Sequence, residues 1–169
     1  IGGSFSHIDN IPVANIARLT AAGALDTTFN SATGFNGVVN AIVAQPTGKL
    51  VVGGAFTNYN GAPANRIVRL TGDGAFDPTF HTGYVGTTVD PAFDNSEGFN
   101  GTVNAILQWV DGRLLVGGAF TRCNGQQRNR IAWITSNGAL HFTSTNFGAG
   151  FNGNVVRAYE SGIAPDGSC

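Results

Sequence analysis

Few side chains in this 169-residue chain are of the types that perform catalysis, and the sequence does not bring them together. His7, His81 and His141 fall at three different positions of a repeating pattern, whereas a catalytic or metal-binding set must converge in space. Asp26 and Asp77 are candidates for the paired carboxylates of a glycoside hydrolase. They recur once per repeat, however, as expected of Asp residues that form turns by bonding to nearby backbone N–H groups. We therefore predict that the protein is not an enzyme and needs no cofactor.

A segment rich in oxygen-bearing side chains is the candidate metal site. Calcium takes roughly six to eight oxygen ligands, and carboxylates and amides of this kind can supply them. The spacing does not match the EF-hand pattern, so a solvated polar loop is the favoured interpretation and calcium binding is the alternative. The candidate ligands are Asp90, Asp94, Asn95 and Glu97.

Aromatic side chains that occur in only one repeat are candidates for a ligand platform, because core aromatic residues should recur. Tyr59, Tyr84 and Trp109 meet that criterion and are the candidate ligand-binding residues, although core or interface packing is the favoured interpretation for any one of them. The tripeptide Asn100-Gly101-Thr102 matches the N-glycosylation pattern. Its Asn recurs in the other repeats without the Thr, which indicates a turn residue and not a glycan attachment site.

Composition excludes several classes of partner. The formal net charge is −1 and 11% of the residues are charged, so no basic field exists to attract nucleic acid. No apolar run approaches the roughly 18 residues of a membrane-spanning helix. The chain starts at Ile1 and is poor in Lys and Glu, which favours an extracellular or virion-surface protein. Cys123 and Cys169 are too few for a disulfide framework; free or buried thiols are favoured, and one disulfide within or between chains is the alternative.

Internal repetition is the strongest signal in the sequence. A Gly-Gly-small-Phe motif occurs at residues 2–5, 53–56 and 117–120, and a Phe-Asn-Gly motif occurs at 35–37, 99–101 and 151–153. The motifs keep step except for one insertion between Phe80 and Phe99, which contains a second copy of the Asp-Pro-small-Phe sequence that ends at Phe80. Added length of this kind belongs in a loop.

Each repeat is predicted to contain four short strands. Turn signals such as Asp111-Gly112 and Asn137-Gly138 separate stretches rich in β-forming residues. In the last repeat the predicted strands are 102–107, 113–121, 130–135 and 139–143. Four strands at a period of about fifty residues match one blade of a β-propeller. We therefore predict an all-β, propeller-type fold of about three four-stranded blades.

The chain is interpreted as a single repeat domain, 1–169, whose ends do not coincide with blade boundaries. The predicted segments are a partial blade 1–33 completed by 151–169, a blade 34–80 with insertion 81–98, and a blade 99–150. Three blades are too few to close a ring, since propellers have roughly four to eight, and open strand edges invite pairing. We expect self-association or neighbouring subunits, as half of a six-blade ring or as part of a longer array.

The repeated Gly and Phe residues are predicted to be structural. Gly inside a strand weakens it, so each Gly-Gly pair indicates either a β-bulge or a crowded place where neighbouring blades meet. Crowding is favoured because it would recur in every repeat, with the Phe of the motif filling the gap between blades. The predicted structural residues are Gly53, Gly54, Phe56, Gly117, Gly118, Phe120, Phe35, Phe99 and Phe151.

The second repeat resembles the delta-60 repeat family of β-propeller-like proteins. The resemblance is carried by residues 48–57, 65–70 and 73–80 and extends over nearly the whole chain in order and spacing. It implies a repeat scaffold within a large bacterial surface or secreted protein or a phage virion protein, without catalytic residues. The third repeat departs from the pattern, because Trp133 replaces Arg69 and His141 replaces Asp77.

Two functions fit these observations. The first is a non-enzymatic structural or assembly module of a large extracellular or virion protein, such as a fibre or appendage. The alternative is a carbohydrate- or protein-binding propeller of the lectin or adhesin kind, with loop-borne aromatic residues as its platform. A structural role predicts extensive contacts between subunits, whereas a lectin predicts saturable sugar binding.

Overall fold

The computed structural model describes residues 1–80, 98–141 and 150–157, and every regular element within them is a β-strand. The all-β, propeller-type fold predicted from the sequence is confirmed. The strands are short and form small antiparallel sheets, as expected of a Gly-rich chain with frequent turns. The described residues contain no helix with the length and apolarity needed to cross a membrane.

The described strands form the same arrangement twice. In chain order they are β1 (His7–Ile8), β2 (Ile11–Pro12), β3 (Val39–Ala44), β4 (Leu50–Gly54), β5 (Asn58–Tyr59), β6 (Ala62–Pro63), β7 (Ile67–Leu70), β8 (Val103–Gln108), β9 (Leu114–Gly118), β10 (Arg122–Cys123), β11 (Gln126–Gln127) and β12 (Ile131–Ile134). Strands β3, β4 and β7 form the main sheet of the second blade, and β8, β9 and β12 form that of the third. The registers correspond: Val51 lies opposite Arg69, and Leu115 lies opposite Trp133.

Within the residues that the structure describes, the fourth strand of each of these blades consists of one bridge. Leu70 pairs with Phe76 in the second blade, and Ile134 pairs with Leu140 in the third. In the second blade the chain turns away just after the bridge, because the Asp77 carboxylate accepts the backbone N–H of Thr79 at 3.0 Å. The intervening Pro has no N–H with which to continue a ladder. The outermost strand of the second blade therefore keeps its position but has minimal length.

Each blade also carries a small hairpin that the sequence patterns do not predict: β1–β2, β5–β6 and β10–β11. The turns of the last two are Asn60-Gly61, with φ of 50° and 79°, and Asn124-Gly125, with φ of 49° and 74°. A type I′ turn requires positive φ at both central residues, and Asn-Gly is a preferred pair for it. The arms are two residues long, too short to leave an alternating hydrophobic pattern.

The hydrophobic core lies between the blades. Val52 belongs to a buried cluster with Ile16 of the first blade, whereas the adjacent Val51 belongs to a buried cluster with Val116 of the third. Both valines are completely buried. Because side chains alternate between the faces of a strand, β4 packs against a neighbouring blade on each side. Burial on both faces explains why β4 is an almost continuous apolar run.

The two glycines of the Gly-Gly motif are required by different neighbours. A Cβ at Gly53 would lie 2.5 Å from Cγ1 of Val103 in the next blade. A Cβ at Gly54 would instead overlap the carbonyl oxygen of Val38 in its own blade, beside a register irregularity between β3 and β4. Crowding between blades is thus found at the first glycine, and a bulge is found at the second.

The phenylalanines of the two motifs pack in pairs within a blade. Phe56 and Phe120 are completely buried. Their rings lie against Phe35 and Phe99, at centroid distances of 4.2 Å and 4.4 Å respectively. Phe151 differs, since its side chain is 50% exposed.

Candidate functional site

The first strands of successive blades are joined by a repeated side-chain contact. Asn40 of β3 donates a hydrogen bond from Nδ2 to the carbonyl oxygen of Val103 at 2.9 Å. Asn104 of β8 donates the same bond, also 2.9 Å, to the carbonyl oxygen of Val155. Residues 151–157 therefore lie against the third blade in the position of a further first strand.

A repeated packing contact accompanies these hydrogen bonds, and together they form what we call the interblade joint. A Cβ added to the first glycine of each Gly-Gly motif would run into a valine of the following first strand. The three glycine–valine pairs are Gly2–Val39, Gly53–Val103 and Gly117–Val155. The packing contact is therefore found at three successive steps and the hydrogen bond at the last two of them, and each step depends on a missing side chain that lets the next blade approach.

The second blade adds a buried ionic group, here called the interblade clamp, formed by Arg69, Asp77, Lys49 and Gln45. Nε of Arg69 lies 2.7 Å from Oδ2 of Asp77, and Nζ of Lys49 lies 2.8 Å from the same oxygen. Arg69 also donates from Nη1 to the carbonyl oxygen of Ser136 in the third blade at 2.7 Å. Gln45 donates from Nε2 to that carbonyl at 3.1 Å. The clamp thus fastens the second blade to a turn of the third.

Asp77 is the anion at the centre of the clamp and is 3% exposed. Burial alone would raise the pKa of Asp77, but hydrogen bonds from Lys49, Thr79 and Arg69 outweigh it and hold the pKa well below its usual value. The carboxylate therefore stays ionised near neutral pH. A group in this state serves as a fixed charge and is poorly suited to general acid–base chemistry, which needs a pKa near the working pH.

The first blade carries a more exposed version of the same contact. Nε of Arg18 lies 2.8 Å from Oδ2 of Asp26, and Nη1 donates to the carbonyl oxygen of Gly72 in the second blade. The Arg18 and Asp26 side chains are 39% and 23% exposed, against 8% and 4% for Arg69 and Asp77. The two repeated carboxylates are therefore held separately, each by the Arg of its own blade.

In the third blade the corresponding surface is aromatic. We call Trp109, Asp111, Arg113 and Trp133 the tryptophan cluster. The two indole rings meet edge to face, with centroids 5.8 Å apart and planes at 88°. The Arg113 guanidinium lies over the Trp133 ring, with Cζ 4.9 Å from the centroid, and Nη2 is 2.7 Å from Oδ2 of Asp111. The hydrogen bond from Arg113 lowers the pKa of Asp111, so the pair remains ionised.

Three residues of the tryptophan cluster occupy positions that form the clamp one blade earlier, and His141 occupies the fourth. The corresponding pairs are Gln45 and Trp109, Lys49 and Arg113, Arg69 and Trp133, and Asp77 and His141. Two features of the sequence had marked this surface as different from the other repeats: the loop-borne Trp109 and the replacement of Arg69 by Trp133. Arg113 was missed as a site residue because its contact with Trp133 depends on the register of β9 and β12, which fixes how the two side chains meet.

The candidate ligand residues from the sequence fall in different settings. Trp109 lies in the tryptophan cluster and is 39% exposed, whereas Tyr84 lies outside the described residues. Tyr59 is completely buried, with its ring 4.5 Å from that of Phe35 and its hydroxyl donating to the carbonyl oxygen of Gly74. Burial raises the pKa of Tyr59 to about 12. The ligand-platform hypothesis is therefore wrong for Tyr59 and the packing interpretation holds, because the β5–β6 hairpin places the side chain in the core.

Several other candidate residues lie outside the described part of the chain: Asp90, Asp94, Asn95, Glu97, His81 and Cys169. Within the described residues, no group of three or more His, Cys, Asp or Glu side chains is placed to hold a metal ion. His7 is exposed in the β1–β2 hairpin, and His141 follows the outermost bridge of the third blade. The Cys123 thiol is buried, and burial raises its pKa to about 12.

Asn100 of the glycosylation-like tripeptide is engaged with the backbone of its own blade. Its Oδ1 accepts the N–H groups of Thr121 and Arg122 at 2.9 Å and 2.8 Å. Asn36 makes the same pair of bonds in the second blade, to Thr57 and Asn58. A repeated bridging role between two chain segments accounts for Asn at this position.

Comparison with known proteins points to one family. A family model described as a domain of unknown function (DUF5122) beta-propeller matches residues 1–29, 45–80 and 111–140, which is more than half of the chain. No curated protein and no solved structure matches the chain. Each matched segment contains one Gly-Gly-small-Phe motif. The match supports a propeller-type repeat, and the likeness to the delta-60 family remains a resemblance.

Proposed function

Because this chain belongs to the DUF5122 beta-propeller family, we propose that it is a non-enzymatic structural module of a larger extracellular or virion protein. Its blades form a stiff scaffold, and the exposed apolar side chains of the 151–157 segment bind neighbouring subunits. The extracellular or virion location and the assembly role are both parts of this proposal.

The observation that carries the proposal is the recurrence of the interblade joint. Three successive first-strand valines pack on three glycines, and the Asn40 hydrogen bond to Val103 is repeated by Asn104 and Val155. In repeat proteins each unit buries a face of its neighbour, and stability comes from the units and their shared interfaces. The residues that recur along this chain are used for packing one blade on the next, which is the property of a scaffold.

The state of the repeated carboxylates supports a role without catalysis. Asp26 and Asp77 each accept hydrogen bonds from an Arg and a Thr of their own blade. These hydrogen bonds lower the pKa of both carboxyl groups. Paired catalytic carboxylates need environments that push their pKa values apart, so that one can serve as acid and the other as base or nucleophile.

Exposed apolar side chains support assembly. Val156 is 67% exposed and Phe151 is 50% exposed, and both lie on the 151–157 segment that packs on the third blade. Val156 stands where Asn40 and Asn104 stand in the preceding first strands. Exposed apolar residues favour association with another polypeptide.

Sedimentation velocity over a concentration series tests the proposal. We expect the chain to sediment as a species larger than the 17.4 kDa monomer, with the larger species growing as concentration rises. Val156→Lys should shift the distribution toward the monomer, whereas Val110→Lys, at an 88% exposed turn position, should leave it unchanged. A monomer at every concentration would contradict the assembly role, and equal effects of the two variants would contradict the assigned surface.

A further inference from the structure

On the side of the clamp, each blade contacts the next one through a particular turn of that next blade. Arg18 of the first blade donates to the carbonyl oxygen of Gly72 in the second. Arg69 of the second blade donates to the carbonyl oxygen of Ser136 in the third, at 2.7 Å. Gly72 and Ser136 are equivalent residues of the repeat, and we call the turn that contains them the contact turn. The three contact turns are residues 20–23, 71–74 and 135–138.

The contact turn has the same backbone in all three blades. In each one the N–H of the last residue, a glycine, donates to the carbonyl oxygen of the first, a threonine, at 2.9, 3.0 and 2.9 Å in chain order. The glycines have φ of 84°, 92° and 93°. The carbonyl group of Ala21 in the first blade is therefore placed in its turn as those of Gly72 and Ser136 are in theirs.

The side chains of a contact turn match the residues of the preceding blade that meet it. In the second blade the turn carries Asp73 and meets the cation Arg18. The pKa of Asp73 is lowered mainly by a hydrogen bond from Thr71, and the charge of Arg18 lowers it further. In the third blade the turn is polar and uncharged, with Ser136 and Asn137, and it meets the hydrogen-bond donors of the clamp.

The first-blade turn and the tryptophan cluster are the apolar counterparts of these pairs. Ala21 and Ala22 are exposed, and they stand where the other turns have Gly-Asp and Ser-Asn. Trp109 and Trp133 stand where the clamp has Gln and Arg. An indole has an apolar ring and one N–H donor, so it can pack on alanine methyl groups and also donate to a backbone carbonyl oxygen.

We infer that the tryptophan cluster of one copy of this chain packs on the Ala21–Ala22 turn of a second copy. This inference rests on the proposed assembly function, and it names the partner and the surfaces. Of the three contact turns, those of the second and third blades are already occupied by Arg18 and by the clamp, so the first-blade turn is the one left for a partner. The contact joins different surfaces of the two copies, and a contact of this kind builds a closed ring or an open chain of subunits.

Two variants, each with one of the two surfaces altered, test the contact by sedimentation velocity. Ala22→Asp gives the first-blade turn the carboxylate that the second-blade turn has at Asp73, so the fold can accept it. Trp109→Ala removes the exposed indole. We expect each variant alone to associate at least about tenfold more weakly than the parent chain. An equimolar mixture should form a species of twice the monomer mass, because the intact turn of one variant meets the intact cluster of the other.

The control substitutions are Val110→Ala, beside Trp109, and Ala75→Asp, beside the second-blade contact turn. Ala75 and Pro46, the equivalent of Val110, stay exposed in the second blade although a blade lies on each side of it. Both control variants should therefore associate as the parent chain does. Because only folded chains can form the mixed dimer, its appearance would also show that neither test substitution acts by unfolding the protein.

The inference is overturned if Ala22→Asp or Trp109→Ala associates as strongly as the parent chain, or if the mixture forms no dimer. Unchanged association of both test variants would leave the assembly function standing and would place the subunit contact elsewhere. A parent chain that is monomeric at every concentration would contradict the assembly function and this inference together.

Discussion

Arg69 in the second blade donates a hydrogen bond of 2.7 Å to the carbonyl oxygen of Ser136 in the third blade. The same guanidinium is paired with the buried Asp77 carboxylate of its own blade. One side chain therefore links an internal ion pair to a neighbouring blade. Changes in this link should affect the stability of two blades at once, which makes it a sensitive point at which to test the account.

The Arg69→Ala variant should destabilise the chain by about 3 kcal/mol, because it leaves the buried Asp77 carboxylate with Lys49 as its remaining cation. The measurement is the free energy of unfolding from urea titration followed by circular dichroism. Arg18→Ala is the matched control at the exposed site, where we expect a loss of about 1 kcal/mol or less. Equal losses for the two variants would show that burial of the clamp has no energetic consequence.

Acid should destabilise the chain through Asp77. Hydrogen bonds from Lys49, Thr79 and Arg69 hold its pKa in the folded chain below the value of about 3.9 expected when unfolded. The resulting stabilisation is fully present above the unfolded pKa and is lost as the pH falls through the folded pKa. Thermal unfolding midpoints measured from about pH 6 to pH 2 should therefore fall more steeply in the parent chain than in Asp77→Asn. Parallel curves would contradict the role assigned to this carboxylate.

Much of the fold could be predicted from the sequence, because the same physical demand recurs in each blade. Glycine recurs at the position of Gly53 because a side chain there would meet Val103 of the next blade. Phenylalanine recurs at the positions of Phe35 and Phe56 because the second and third blades have the same space to fill. The small hairpins could not be predicted from hydrophobic alternation, since their arms are two residues long. Asn60-Gly61 and Asn124-Gly125 were the available signals, and both are type I′ turn pairs.

Tyr59 was a ligand candidate because a tyrosine does not recur at this position in the other repeats. The equivalent residue in the third blade is Cys123, and both side chains are buried although they differ in size. A position can therefore stay buried in successive repeats while its residue type changes. The tryptophan cluster had the opposite difficulty: Trp133 was visible as a departure from the repeat, but its contact with Arg113 depends on cross-strand geometry that one sequence does not contain.

Tyr59→Phe should cost about 1 kcal/mol, because it removes the hydroxyl that donates to the Gly74 carbonyl but keeps the ring. Tyr59→Ala should cost about 4 kcal/mol, since it also empties the space against Phe35. Urea unfolding of the two variants measures both effects. A negligible cost for Tyr59→Ala would mean that the ring is not in the core.

The Cys123 thiol should react slowly in the folded chain, because it is buried and its pKa is raised to about 12. The measurement is the rate of reaction with a disulfide reagent at pH 8 in a Cys169→Ser background, with and without denaturing urea. We expect a large acceleration on unfolding. Rapid reaction without urea would contradict the buried position.

The contact between Gly53 and Val103 is the most direct test of the central claim, which is that each blade is fitted to the next through a glycine. A double-mutant cycle in urea unfolding combines Gly53→Ala with Val103→Ala, and Gly3→Ala serves as the control glycine because its Cβ would face Phe5 of its own blade. Gly53→Ala alone should cost about 1–3 kcal/mol by overpacking, and Val103→Ala should relieve that cost by at least about 1 kcal/mol. Gly3→Ala and Val103→Ala should be additive. Additivity of Gly53→Ala and Val103→Ala within about 0.5 kcal/mol would contradict the interblade joint.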